Sequence, residues 1–262
     1  MRADGPTLSR AAYPLAGVAA GRGTGHGLGH AAGEQADSRP VFGSNNERIP
    51  DIYRVGREAY TYWFAKDFRE APVRGAGQVW LHLRGVNYGC EVYLNGRRLN
   101  AKTHYGQFLR QTYNITPYLA ADGQNRLAVL ILPPDPVGNP NGGQGGDGAI
   151  ARNVANQYTA GWDWIQPVRD RNTGIWDKVT IERTGPVNLQ NPHLVTRVPG
   201  VRQPTGPQRP ATLAASAELV NPTGRPVTGT LSCTVAGSTV TQKVTLPARS
   251  TRLVRLPVAT LP

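Results

Sequence analysis

Val79-Trp-Leu-His-Leu-Arg-Gly-Val-Asn-Tyr-Gly-Cys-Glu-Val-Tyr-Leu-Asn-Gly96 decides the fold class. Val79, Leu81 and Leu83 alternate with Trp80, His82 and Arg84, so one face of an extended chain is apolar. Gly85-Val-Asn87 interrupts the run, and the alternation resumes with Cys90, Val92 and Leu94 against Glu91 and Tyr93. Asn95-Gly96 then predicts a two-residue type I′ turn, because both central positions of that turn need positive φ. The stretch therefore reads as strands of an antiparallel sheet with one buried face.

The same character extends outward. Tyr60 to Phe68 is aromatic and extended, Glu70 to Gly77 reads as a loop, and further strands are expected at Thr112–Ile115 and Arg126–Leu132. Short strands spaced by turns, with no helical period, predict an all-β jelly-roll sandwich. Beyond Val179–Arg183, Thr184 to His193 reads as a linker. Strands at Leu213–Val220, Val227–Val235, Ser238–Leu246 and Thr251–Leu256 then predict an immunoglobulin-like sandwich that ends incomplete. The expected organisation is a leader without structure over residues 1–44, a jelly roll over 45–185 and a truncated immunoglobulin-like sandwich over 192–262. Residues 1–44 are rich in Gly, Ala, Arg and His and bury too little apolar surface to offset the entropy of ordering.

Composition narrows the function classes. The net charge of +12 comes almost wholly from singly scattered Arg, with Lys only at 66, 102, 178 and 243, so no basic stripe marks a nucleic-acid surface. No apolar run reaches membrane-span length, and no nucleic acid or membrane partner is expected. Cys90 and Cys233 lie in separate predicted domains, which argues against a disulfide, and no ligand spacing suggests a metal or other cofactor. Arg2 and Arg10 flank the start of an apolar run at Ala11–Ala20, a pattern compatible with secretion or a periplasmic destination. Asp4 and Pro14 depart from a signal peptide, so localisation stays open.

Chemistry concentrates in Gly161-Trp-Asp-Trp-Ile-Gln-Pro-Val-Arg-Asp-Arg-Asn-Thr-Gly-Ile-Trp-Asp-Lys-Val179. Tryptophan presents an apolar face to the axial C–H groups of a pyranose and a donor-only N–H, while an ionised Asp accepts from two hydroxyls. Asp163, Trp162 and Trp164 are the leading sugar-contacting candidates, followed by Asp170 and Asn172. Two alternatives remain: Trp176 is core as readily as it is site, and Arg171 beside Asp170 reads as an ion pair holding the turn. The Pro- and Gly-rich run Pro133–Gly148 precedes this stretch as a long irregular loop, with Gln144, Asp147, Asn153, Asn156 and Gln157 as further hydrogen-bonding candidates.

The segments Tyr62–Phe68, Gly85–Gly96, Gly106-Gln-Phe with Asn114-Ile-Thr, and Asn125–Val129 resemble the N-terminal sugar-binding jelly roll of family 2 glycoside hydrolases. Gly143–Asp147, Gln157-Tyr158 and Gly161–Val179 resemble the branch containing mannosylglycoprotein endo-β-mannosidases and exo-β-glucosaminidases. The resemblance covers roughly residues 45 to 262, and the Trp-Asp-Trp segment sets it apart from the β-galactosidase branch. It implies a jelly roll, an immunoglobulin-like sandwich and then a (β/α)₈ barrel with two catalytic Glu of a retaining mechanism, about 5 Å apart. No residue of this sequence takes either catalytic role, and the barrel is expected to be absent from the chain.

By the same resemblance, Asp163 would reach from the jelly roll into the barrel mouth and contact the sugar in the −1 subsite. The expected function is then a non-catalytic region of an O-glycosyl hydrolase of carbohydrate metabolism, with a β-linked manno- or glucosamine-type oligosaccharide and the missing barrel as partners. The alternative is a free-standing, lectin-like carbohydrate-binding module. A third reading makes both sandwiches scaffold and the tryptophan cluster core.

Overall fold

The structure is a computed structural model, and it describes residues 4–10, 25–26, 48, 50, 52–134, 153–155, 172–201, 204–206 and 211–261. The chain divides into two units, Met1–Pro72 with Trp80–Glu182, and Val73–Val79 with Arg183–Pro262.

The first unit begins with a short helix, α1 (Gly5–Leu8), and a two-residue strand, β1 (Gly25–His26). A second helical turn, α2 (Ile52–Val55), and a 3₁₀ turn, Arg57–Tyr60, lead into β2 (Tyr62–Arg69). The strands β3 (Gln78–Leu83), β4 (Val86–Asn87), β5 (Gly89–Leu94), β6 (Arg97–Arg98) and β7 (His104–Tyr105) follow. Then come β8 (Gln111–Asn114), β9 (Gln124–Leu132), β10 (Gly174–Ile175) and β11 (Val179–Thr184). One sheet runs β2-β9-β5-β6 with β7 also on β5; the others run β11-β3-β8 and β1-β10-β4.

The alternation around Val79 holds. Val79, Leu81 and Leu83 are buried, as are Cys90, Val92 and Leu94, and the Gln111 amide on β8 reaches Cys90 Sγ on β5 at 3.2 Å, so these apolar faces meet between sheets. His82 keeps to the opposite face, where its ring spans Thr112 Oγ1 at 3.0 Å and Glu182 Oε2 at 2.9 Å on the two flanking strands. Trp80 departs from the simple pattern: it lies on the expected polar face yet is buried. The Asn95-Gly96 turn forms as expected, with φ of 49° and 83° between the paired residues Leu94 and Arg97. Asn125, 2% exposed, fastens this corner: its amide donates to Glu70 O and Gly123 O, and its carbonyl accepts from Ala120 N and Asn95 Nδ2.

Residues 4–10, assigned to a leader by composition, are ordered instead. Asp4 caps α1 by accepting from Thr7 N at 2.9 Å, and Leu8 packs with Tyr93, Ala128 and Trp63 on the outer face of the large sheet. Gly5 makes this close approach feasible, because a Cβ there would sit 2.4 Å from the Tyr93 ring. Ser9 Oγ accepts from Gly96 N at 2.8 Å, and Arg126 Nη1 donates to Arg10 O at 3.0 Å. Average composition misses such a segment because one buried leucine, one cap and one glycine hold it.

In the second unit β12 (Asn188–Arg197), β13 (Ala211–Asn221), β14 (Val227–Val235), β15 (Ser238–Leu246), β16 (Ser250–Arg255) and β17 (Ala259–Leu261) form two sheets. One runs β12-β13-β16 with β17 on β13, and the other is the β14-β15 hairpin. Ala215, Leu219, Leu231, Val244, Leu246, Val254 and Leu256 fill the space between them. The segment read as a linker carries most of β12: its turn-like Asn-Pro pair is a bulge at Asn191 (φ 48°) and Pro192, not a strand break. Asn221 is fully buried and ties two turns by donating to Arg225 O and Pro247 O, each at 2.8 Å.

Candidate functional site

The site begins with how the first unit holds the ends of its long insertion. β9 ends at Leu132, whose carbonyl accepts from Tyr88 N at 2.9 Å and which pairs with Gly89. The chain returns at Asn172, in the left-handed region at φ 57°, and enters β10, where Gly174 pairs with Asn87 and Ile175 with Val86. The Asn87 side chain, 1% exposed, donates to Asn172 O at 2.9 Å. Departure and return thus flank the same three residues, Asn87-Tyr88-Gly89, whose first peptide bond is cis.

Of the residues singled out from sequence, Asn172 is placed, and its backbone carbonyl accepts from the Asn87 side chain. Trp162, Asp163, Trp164 and Asp170, with Arg171, lie outside the described residues, as do Gln144, Asp147, Asn156 and Gln157. Asn153 is described, in a short segment apart from β10.

Trp176 resolves between its two alternatives. It is 40% exposed, so it is not core, but its indole N–H donates to Gln107 O at 3.0 Å and is not available to a sugar hydroxyl. Its ring lies against Gly85, where a Cβ would meet Cε2 at 2.3 Å, and its backbone N–H donates to Gly85 O. Phe108 meets the indole edge-on with centroids 6.0 Å apart, and Tyr88 lies 6.3 Å from Tyr105. Tyr105, Phe108 and Leu109 are each more than half exposed. Beside them Asp177 Oδ2 lies 3.5 Å from Arg84 Nε.

Sequence reading missed Tyr88, Tyr105, Phe108 and Leu109 as a surface. The available signal was Tyr105-Gly-Gln-Phe-Leu109, large apolar residues in a segment too short and glycine-interrupted to bury them. The described groups offer binding chemistry: aromatic faces for apolar C–H surfaces, rimmed by an Arg–Asp pair. Among the described residues no group of three His, Cys, Asp or Glu could hold a metal ion, and no helix is long and apolar enough to cross a membrane.

Comparison with known proteins adds the family. Residues 30–177 match the model described as glycosyl hydrolase 2 galactose-binding domain-like. The mannosylglycoprotein endo-beta-mannosidase of Lilium longiflorum is 50% identical over 159 residues, 60% of this chain and 16% of that protein. An exo-beta-D-glucosaminidase of Streptomyces avermitilis is 28% identical over 226 residues, 85% of this chain and 22% of that protein. The chain therefore spans less than a quarter of the length of either relative. The crystal structure of the Amycolatopsis orientalis exo-chitosanase CsxA superposes on 99% of this chain and 27% of its own, with a TM-score of 0.72 at 22% identity, which establishes the all-β jelly-roll and immunoglobulin-like fold. With more than half its length under that family model, the chain belongs to the glycosyl hydrolase 2 galactose-binding domain-like family.

Proposed function

We propose that the chain is a non-catalytic region of a glycoside hydrolase acting on β-mannosidic or β-glucosaminidic bonds, and that Gly161–Val179 supplies one wall of its sugar site. The observation that carries this reading is the double anchorage at Asn87–Gly89. Leu132 and Asn172, the described residues on either side of Trp162, Asp163 and Trp164 in the chain, are both held at Asn87–Gly89, in the domain that carries the family resemblance. The names of the two relatives support the bond types. Asp163 accepts hydrogen bonds from sugar hydroxyls, Trp162 and Trp164 cover the apolar faces of the ring, and Asp170 and Asn172 hold the rim.

The catalytic acid and nucleophile belong to a (β/α)₈ barrel outside residues 1–262, in a polypeptide whose jelly roll is the first unit and whose immunoglobulin-like sandwich is the second, starting with β12 at Asn188. The chain alone then supplies half a pocket and no proton donor or nucleophile. Its affinity for manno- or glucosamine oligosaccharides is about 1 mM or weaker, because one wall gains only part of the contacts that offset the cost of association.

The exposed aromatic surface of Tyr105, Phe108 and Trp176 is the specific observation favouring a second reading, a free-standing carbohydrate-binding module. Isothermal titration with both oligosaccharide series separates the two. Micromolar binding lost on Asp163→Ala establishes the free-standing module, whereas no measurable heat at micromolar concentrations is the expected result. Aryl β-mannoside and β-glucosaminide assays on the chain are expected to stay at background, and turnover there overturns the non-catalytic assignment.

A further inference from the structure

β7 is two residues long and hangs on β5, with His104 opposite Cys90 and Tyr105 opposite Gly89. Residues paired directly across an antiparallel ladder share a face, so the His104 ring lies on the inner side of the sheet with Cys90, which is fully buried. Its Nε2 is buried and has no hydrogen-bond partner among the described residues. A hydrogen bond with the Gly106 backbone holds the ring, which places the neutral form's proton on Nδ1 and leaves Nε2 as a bare lone pair. Protonation therefore creates, at Nε2, a buried cationic N–H with no acceptor, a costly group for a fold to hold.

Among the described residues nothing around the ring offsets that charge. On β5, Cys90 is pushed up to about 11 by burial and stays a thiol, engaged with Gln111 on β8. Tyr113, also on β8, is pushed above its ordinary value by burial, and its hydroxyl donates to Gln111. Glu91 faces the other side of the sheet, where it accepts from Tyr93 Oη at 2.6 Å, Thr103 Oγ1 at 2.9 Å and Arg98 Nη2 at 3.0 Å. Lys102 and Arg110, at either end of the segment, are exposed and carry the wrong sign. Burial accordingly holds the imidazole below its ordinary value, against the Gly106 hydrogen bond.

The residues after His104 are the ones that fasten Trp176. Gly106 N donates to Tyr88 O at 3.1 Å, and Leu109 N to Gly106 O at 3.4 Å. Between them Gln107 is 5% exposed and its carbonyl accepts the Trp176 indole N–H at 3.0 Å, with Phe108 against the ring. His104 as a whole residue is only partly buried, so a turn about its side-chain bonds carries the ring to water. We propose that His104 is a pH-sensitive latch on this loop: the neutral ring stays inside and holds residues 104–109 against Trp176, whereas the protonated ring swings out and releases the indole. The device belongs to the chain's own loop and stands whether or not a sugar binds beside it.

Proton NMR of the full chain across pH 8 to 5 tests it, with His104 assigned by the signal lost in His104→Gln. Folded His104 should titrate below its own value in urea, which lies near the ordinary value of about 6.5. Because the folded value is the lower one, the latch contributes fully above about pH 6.5 and is lost as pH falls from there through the folded value. Over that window the protection factors of the Trp176 indole N–H and the Gly106 amide should fall by up to about tenfold per pH unit, one proton being linked to the opening. In His104→Gln they should stay constant. A folded midpoint at or above the urea value overturns the proposal. So does Trp176 protection that stays constant in the wild type or falls equally in the variant. Should the variant misfold, backbone-linked assignment of His104 and the wild-type profiles decide alone, since Trp176 protection must level off below the folded His104 midpoint.

Discussion

Gly85→Ala puts the anchor of the tryptophan-rich stretch under the most direct mechanical test. The new Cβ would lie 2.3, 2.6 and 2.7 Å from Cε2, Cζ2 and Nε1 of Trp176, where carbon atoms rest at about 3.5–4.0 Å, so the indole must move by about 1 Å or more. It has little freedom to do so, being fixed by the hydrogen bond from Nε1 to Gln107 O and by the edge of Phe108. Losing that bond costs about 0.5–1.5 kcal/mol. Losing the ring pair costs a similar amount. Residual overpacking adds about 1 kcal/mol, held down because a ring 40% exposed can swing toward solvent. The total is about 2–4 kcal/mol.

All five tryptophans, at 63, 80, 162, 164 and 176, lie in the first unit, so urea unfolding followed by tryptophan fluorescence reports that unit alone. The decisive comparison is a double-mutant cycle. On a Trp176→Ala background the clash is gone, so adding Gly85→Ala should cost less than about 0.5 kcal/mol. A Gly85→Ala variant as stable as the wild type, or costs that simply add, refutes the argument.

Asn125→Ala strips a buried side chain that serves four backbone and side-chain partners, and should lower first-unit stability by about 3 kcal/mol in the same assay, with hydrogen exchange rising at the Asn95-Gly96 turn. Asp67 is held below the ordinary carboxylate range by its hydrogen bonds from Arg126, at 2.5 and 2.7 Å. A depressed folded pKa contributes stability that is complete above the unfolded value near 3.9 and is lost as pH falls through the folded value. Wild type should therefore out-melt Asp67→Asn modestly at pH 7, since the Asp67 side chain is 57% exposed and screened, and the gap should close below pH 4. Burial pushes the Cys90 thiol up to about 11 against a hydrogen bond from Gln111, so at pH 8 a disulfide reagent should label the partly buried Cys233 alone in the folded chain and both thiols in urea.

How far the sequence carried the fold depended on the range of the information needed. The strands of 79–94 and 227–246 are periodic over many residues and end in turns that demand positive φ, so local rules sufficed. α1 escaped because its order comes from a long-range contact: nothing near Gly5 announces that a Tyr93 ring will lie against it. Asn191-Pro192 misled because a proline at a sheet edge costs no ladder bond, so a turn signal became a bulge. Trp176 could not be settled from composition, since its exposure and its bond to Gln107 O depend on a loop 69 residues away. The aromatic surface at Tyr105 and Phe108 was hidden for the same reason: exposure is a tertiary property.

The central claim, that Trp162, Asp163 and Trp164 form a wall of a sugar site, is tested most directly by the five indole N–H resonances of the chain during titration with chitosan and β-mannan oligosaccharides at millimolar concentration. The account predicts weak, saturable shifts of the Trp162 and Trp164 signals that vanish in Asp163→Ala, while the Trp176 signal, its N–H engaged by Gln107, moves little. Unmoved Trp162 and Trp164 signals, or shifts that survive Asp163→Ala unchanged, would contradict it.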